Sequence, residues 1–128
     1  MKKITSLLLL VIATCFLSLT AFSQSAEDCQ ILHEGTFTYE GEKPVKVVIK
    51  GKEHTEYHND GKYVIQSKLE WVNDCEYNMT MTKVTIPDFP FKPGDVMNVK
   101  INRVEGNDIY YTSTVKGQSW EGKLTKVK

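Results

Sequence analysis

The sequence has few of the residues that mark catalysis, metal binding or nucleic-acid recognition. In 128 residues it has three cysteines and three histidines, and it has no Gly-x-Ser-x-Gly motif, Cys-x-x-Cys motif or recognisable pair of carboxylates. Basic and acidic residues balance at 16 each. From Gln24 onward, 14 basic side chains face 16 acidic ones, a formal charge of −2. Nucleic acids and anionic membranes select for clustered positive charge, so both are poor partner candidates. We therefore expect one small domain that is not an enzyme and has no cofactor.

Long apolar runs are also missing, except at the N-terminus. Met1 to Lys3 is basic, Leu7 to Leu19 is almost wholly apolar, and Ala21 to Ser23 offers small residues just before Gln24. This pattern predicts a cleaved secretory signal peptide over residues 1–23 and a single domain over residues 24–128. The protein is then exported, either periplasmic or secreted, with no stable membrane insertion after cleavage. The alternatives are a retained membrane anchor and a lipoprotein modified at Cys15.

The cysteines remaining after signal cleavage are an even pair, Cys29 and Cys75. In an oxidising compartment such a pair most simply forms one disulfide. By the chain-entropy model, a loop of this size contributes roughly 4 kcal/mol. The alternative, a redox or metal-binding pair, lacks both the Cys-x-x-Cys spacing and a nearby histidine at ligand spacing.

Hydrophobic residues alternate with a period of two almost everywhere after the signal, and no helical stripe is present. Eight runs have this pattern, separated by short turn sequences: 36–39, 45–50, 53–58, 63–71, 76–84, 96–104, 109–116 and 119–127. They predict an all-β fold of eight antiparallel strands in meander order. A lipocalin-like up-and-down barrel and a two-sheet sandwich both fit, and the barrel is favoured because closure leaves no exposed edge.

One linker, residues 85–95, contains three of the four prolines together with Phe89 and Phe91. Proline removes backbone donors from a sheet, so this segment is predicted to be a loop. The two phenylalanines either cap the core, form a lid over the barrel mouth, or contact a partner.

Large aromatic side chains fall in phase with the apolar alternation. They are expected to fill the core, and the alternative is that they line a cavity for a small apolar ligand, since a barrel of this size does either. The residues concerned are Trp71, Tyr77, Tyr111 and Trp120, together with Phe89 and Phe91. Trp71 and Trp120 are predicted to be buried on the inner face.

His54, Glu56 and His58 share one face of a short polar run. The pattern favours a solvated outer face. A zinc site is a weak alternative, because positions two apart lie about 6.6 Å apart along a strand and a third ligand must come from elsewhere.

The region from Cys29 to Val84 resembles known proteins. Cys29 followed by the segment 35–39, a glutamate in a polar strand (Glu56) and residues 69–77 is a combination that resembles a group of small exported β-rich proteins of Bacteroidota without an established function. Some members of that group carry the name DNA topoisomerase IV, which an exported, net-negative chain of this length cannot support. The resemblance implies a shared architecture and a shared cysteine pair, and no catalytic residue.

A more distant likeness is to lipocalin-type barrels, whose first strand carries Gly-x-Trp. Here the sequence is Gly35-Thr36-Phe37, and no arginine near the end of the chain is available to pack over Phe37.

These observations leave three functional hypotheses. The first is a non-enzymatic structural or interaction module, whose partner is another envelope protein. The second is a lipocalin-like binder of a small apolar ligand. The third and weakest is a metal-dependent enzyme that uses the segment from His54 to Asp60. The volume and lining of the barrel interior distinguish these three hypotheses from one another.

Overall fold

The structure, a computed structural model, describes residues 26–39 and 45–128. Eight antiparallel strands follow one another around a closed barrel, in which the first strand also pairs with the last. The strands are β1 (Gly35–Tyr39), β2 (Val45–Lys50), β3 (Glu53–His58), β4 (Tyr63–Asn73), β5 (Glu76–Val84), β6 (Val96–Glu105), β7 (Asp108–Val115) and β8 (Gln118–Lys126). The predicted all-β class and meander order are confirmed. Of the two architectures that fit the sequence, the barrel and the two-sheet sandwich, the structure has the barrel.

The predicted signal peptide, with Cys15, lies outside the described residues. Within the described ranges, the helical segments are too short to cross a bilayer. They are α1 (Ala26–Cys29) and a 3₁₀ helix (Gln30–Leu32), which the sequence did not predict because seven residues are too few to show a helical period.

Turns of two to four residues connect β2 to β3, β3 to β4, β4 to β5, β6 to β7 and β7 to β8, as the sequence predicts. The link between β7 and β8 is the pair Lys116 and Gly117, with φ of 49° and 79°. Two consecutive positive φ angles are typical of a type I′ turn, whose twist matches that of paired strands. This turn fixes the register in which Val115 lies opposite Gln118.

Strand direction gives the barrel two distinct ends. The loops that follow β3, β5 and β7 lie at one end, which we call the open end. The loops that follow β2, β4 and β6 lie at the other, the closed end. The Pro-rich loop (residues 85–95) connects β5 to β6 and therefore belongs to the open end.

The N-terminal segment packs against the closed end. Cys29 and Leu32 are fully buried there, and the predicted disulfide between Cys29 and Cys75 is confirmed, with 5.2 Å between the Cα atoms. The His33 ring stacks on Trp71 with 3.5 Å between ring centroids, and His33 Nε2 lies 2.9 Å from the carbonyl oxygen of Asp74. The disulfide and these contacts tie the segment to the hairpin of β4 and β5.

A lysine at the end of β8 also holds this segment. Lys126 lies opposite Phe37, with its Nζ 5.8 Å from the centroid of the Phe37 ring. The same Nζ donates to the carbonyl oxygens of Glu34 at 2.9 Å and Ile31 at 3.2 Å. The sequence offers no arginine for a cation over Phe37, and a lysine takes that position.

Candidate functional site

The barrel interior is packed toward the closed end and hollow toward the open end. A cavity of about 260 Å³ lies there, just below the range usual for drug-sized ligands. Most of its lining is apolar or aromatic, with a few polar side chains. The lining residues are Tyr39, Glu56, His58, Ile65, Met79, Met81, Phe89, Phe91, Met97, Tyr111, Ser113 and Trp120.

Three side chains form what we call the polar wall of the cavity: Tyr39, Glu56 and Tyr111. The phenol groups of Tyr39 and Tyr111 lie close enough together for each to affect the pKa of the other. Burial, assisted by the Glu56 carboxylate, raises the pKa of Tyr39 well above its ordinary value. Burial also raises the pKa of Tyr111 to about 12, against the opposing effect of the neighbouring Tyr39 phenol. Both phenols therefore stay protonated at neutral pH and can donate a hydrogen bond.

The prediction that His54, Glu56 and His58 form a solvated outer face is wrong. His54 is 1% exposed and Glu56 is 9% exposed, because register places them opposite the inward residues Ile49 and Val47 of β2. His58, two residues nearer the open end, is half-buried in the cavity wall. The outer face of β3 is polar as well, so the two faces of the strand do not differ in hydrophobicity and the sequence does not show which one is inside.

Metal binding finds no support at this face. Among the residues that the structure describes, no three His, Cys, Asp or Glu side chains are grouped closely enough to hold an ion. The nearest approach is His58 Nε2 to Glu56 Oε1 at 3.7 Å. His33, the remaining histidine, lies at the closed end.

The mouth of the cavity carries an aromatic rim, formed by Phe89, Phe91 and Trp120. Phe89 and Phe91 meet edge to face with 5.8 Å between centroids, and Phe91 stacks on Trp120 with 6.2 Å between centroids. The two phenylalanines are half-buried. The prediction that Trp120 is buried is wrong, since it is 40% exposed, although it shares the inward face with Ser113 opposite.

The predicted cavity residues therefore divide between the two ends. Tyr111, Trp120, Phe89 and Phe91 line one cavity. Tyr77 lies two residues beyond Met79 toward the closed end, fully buried in the core, and Trp71 packs on it with 4.8 Å between ring centroids. Trp71 is half-buried rather than buried. The sequence missed Tyr39, Glu56, His58, Ile65, Ser113 and the three methionines as cavity residues.

Gly122, a glycine within β8, leaves room for the side chain of Tyr111. Gly122 lies opposite Tyr111, and a Cβ at Gly122 would overlap the phenol end of that side chain. The ring of Tyr111 thus covers the glycine, an arrangement that keeps a strand glycine packed.

An outer groove of about 300 Å³ is the main rival to this cavity. It is lined by Thr38, Lys46, Tyr57, Asp60 and Gly61, none of which is buried. Specific small-molecule sites remove most of the ligand surface from water. The interior cavity, with buried polar and apolar groups facing one space, is therefore the stronger candidate.

The buried His54 makes acid sensitivity a testable property. Burial lowers the pKa of His54 below its ordinary value of 6.5, against the opposing charge of Glu56. Below about pH 6.5, His54 is protonated in the unfolded chain but stays neutral in the folded protein. The free energy of unfolding therefore falls as the pH drops toward the lowered pKa. Urea unfolding between pH 7 and pH 5 should show a shallower loss of stability for His54→Gln than for the unmodified protein. Equal slopes would contradict the burial of a neutral His54.

Comparison with known proteins does not assign the chain to a family. No family model, no curated protein and no solved structure matches it. What the structure establishes is the eight-stranded antiparallel closed barrel with the Cys29 to Cys75 disulfide.

Proposed function

We propose that this protein is an exported, non-enzymatic binder of one small, mostly apolar molecule, which it holds in the cavity at the open end. The observation that carries the proposal is the cavity itself, since a module with a purely structural role has no need of a hollow core. Apolar walls supply affinity through buried surface, and the few polar groups supply orientation.

The composition of the wall supports a binding role. Met79, Met81 and Met97 lie on the same side of the cavity, on the adjacent strands β5 and β6. Methionine is flexible and polarisable, so a wall of three methionines adapts to a ligand more easily than one of branched side chains.

The closed end supports the likeness to lipocalin-type barrels. Phe37 occupies the position of the tryptophan in the Gly-x-Trp motif, and Lys126 packs over it where an arginine is expected. A lysine with two backbone carbonyls as acceptors supplies the same cation at the same place. This remains a likeness in architecture, since fold alone does not imply function.

Export is supported by the disulfide. Disulfides persist in oxidising compartments and are rare in the cytosol. Together with the apolar N-terminal run, the bridge favours a periplasmic or secreted protein whose ligand is collected outside the cytoplasm.

The aromatic rim supports a lid at the open end. Phe89 and Phe91 lie between prolines, which restrict the loop before any ligand arrives. A restricted loop loses less conformational entropy on binding than a glycine-rich one. Phe91 stacks on Trp120 and Phe89 meets Phe91 edge to face, so the loop already lies at the mouth that it would cover.

Filling the cavity tests the proposal. Ser113 is buried and faces the cavity, so Ser113→Leu should occupy the space of a ligand. We expect the variant to lose binding of 2-phenylethanol, measured by calorimetry, while its melting temperature stays equal to or above that of the unmodified protein. Thr112→Leu, on the outer face of the same strand, is the matched control and should bind normally.

Two outcomes would overturn the proposal. If none of 2-phenylethanol, indole and 2-phenylethylamine binds the unmodified protein, the structural-module hypothesis is preferred. If Ser113→Leu binds as well as the control does, the ligand sits elsewhere.

A further inference from the structure

The polar wall of the cavity contains one carboxylate and no fixed cation to match it. From this imbalance we infer that the ligand carries a basic amine, positively charged at neutral pH, on its apolar body. The inference rests on the proposed binding function and names the chemical class of the ligand.

Glu56 is the residue that carries the inference. The residue as a whole is 9% exposed, its side chain is 12% exposed, and it faces the cavity. Among the described residues, no Lys or Arg nitrogen lies within 4.0 Å of its carboxylate, and the basic group within that distance is His58. The 3.7 Å from His58 Nε2 to Glu56 Oε1 exceeds the 2.7–2.9 Å typical of a charge-assisted hydrogen bond. The carboxylate therefore retains acceptor capacity toward the cavity.

Burying a carboxylate without a matched donor is costly, and a ligand that brings the donor removes that cost. An ammonium group supplies three N–H donors and a full positive charge. A neutral hydroxyl supplies one donor and no charge. The cavity should accordingly prefer an amine to an alcohol of the same shape, and should reject a carboxylate.

The aromatic side chains favour the same ligand class. Tyr39, Tyr111 and Trp120 all line the cavity that Glu56 faces. A cation is attracted to the face of an aromatic ring, most strongly where water is excluded. The phenol hydroxyls of the polar wall also offer oxygen acceptors beside the carboxylate.

His58 Nε2 gives a second, independent indication. It is buried and has no hydrogen-bond partner among the described residues. An amine nitrogen between Glu56 and His58 would donate to the carboxylate and to an unprotonated Nε2 at once. The apolar body would then point toward the methionines and the aromatic rim.

Three probes with one phenyl body and different head groups test the inference: 2-phenylethylamine, 2-phenylethanol and 3-phenylpropanoate. For the unmodified protein, calorimetry at pH 7 should give an affinity for the amine roughly tenfold or more above that for the alcohol, and no binding of the carboxylate. Glu56→Gln, which keeps the shape of the side chain, should bind amine and alcohol about equally. Glu53→Gln, the same change on the outer face of the same strand, should keep the preference for the amine.

The outcomes separate this inference from the proposed function. Alcohol bound as tightly as amine by the unmodified protein would overturn the amine inference and leave the cavity binder standing. Binding of neither probe would overturn both. An amine preference retained in Glu56→Gln would show that another group recognises the charge. Binding of the alcohol by Glu56→Gln serves as its folding control, and the comparison on the unmodified protein decides the question even if this variant does not fold.

Discussion

Replacing Cys29 and Cys75 together by alanine is expected to lower the free energy of unfolding by about 4 kcal/mol, within the range of 2–5 kcal/mol seen when small secreted domains lose a disulfide. The bridge joins residues 46 apart in sequence, and breaking it frees a long loop in the unfolded chain. It also releases α1 from the hairpin of β4 and β5, leaving the remaining contacts, such as the stack of His33 on Trp71, to hold the closed end. Since a domain of this size has a total stability of about 5–15 kcal/mol, this is a large share.

Urea unfolding of the double variant, compared with the oxidised protein with and without a reductant, measures the effect. Reduction of the unmodified protein should give nearly the same loss as the double substitution. Alkylation of the oxidised protein should modify neither Cys29 nor Cys75. Unchanged stability of the double variant would show that the N-terminal segment holds its place without the covalent link.

Replacing Phe37 by alanine is expected to destabilise the barrel by about 3–5 kcal/mol. Phe37 is fully buried at the closed end, where its ring lies beneath Lys126. Removing the ring leaves a cavity and takes away the surface over which the lysine chain packs, so the anchor of the N-terminal segment weakens as well.

Thr38→Ala, the neighbour on the outer face of β1, is the matched control and should change stability by no more than about 0.5 kcal/mol. Phe37→Leu, which restores most of the volume, should recover a large part of the loss. If Phe37→Ala behaves like Thr38→Ala, the closed end is not the packed core described above.

The fold was predictable because most strands have a marked contrast between their two faces. In β4, Ile65, Ser67 and Leu69 alternate with charged and polar residues, and all three are buried as the alternation predicts. Short turns between such strands leave few topologies other than a meander. The even pair of cysteines after residue 23 also predicted one disulfide bridge.

The orientation of β3 could not be predicted from its own residues. Glu53 and Thr55 on one face are as polar as His54 and Glu56 on the other, so hydrophobicity does not tell inside from outside. Pairing with Val47 and Ile49 of β2 decides the phase. When both faces of a strand are polar, the strands that pair with it determine which face points inward.

The position of each aromatic side chain along the barrel axis also could not be predicted from the sequence. Alternation shows that Trp71 and Trp120 share the inner face, but not that they lie at opposite ends. That placement depends on strand register, which shifts at bulges between Trp71 and Asn73 and between Ile101 and Arg103. The cavity residues therefore emerged only with the three-dimensional structure.

The most direct test of a ligand site at the open end is the change in backbone amide NMR shifts when ¹⁵N-labelled protein is titrated with 2-phenylethylamine. We expect saturable shifts at Glu56, Met81, Ser113 and Trp120, with Trp71 and Tyr77 at the closed end unaffected. Saturable shifts confined to the outer groove around Lys46 and Tyr57, or no saturable shifts at all, would contradict a ligand site at the open end.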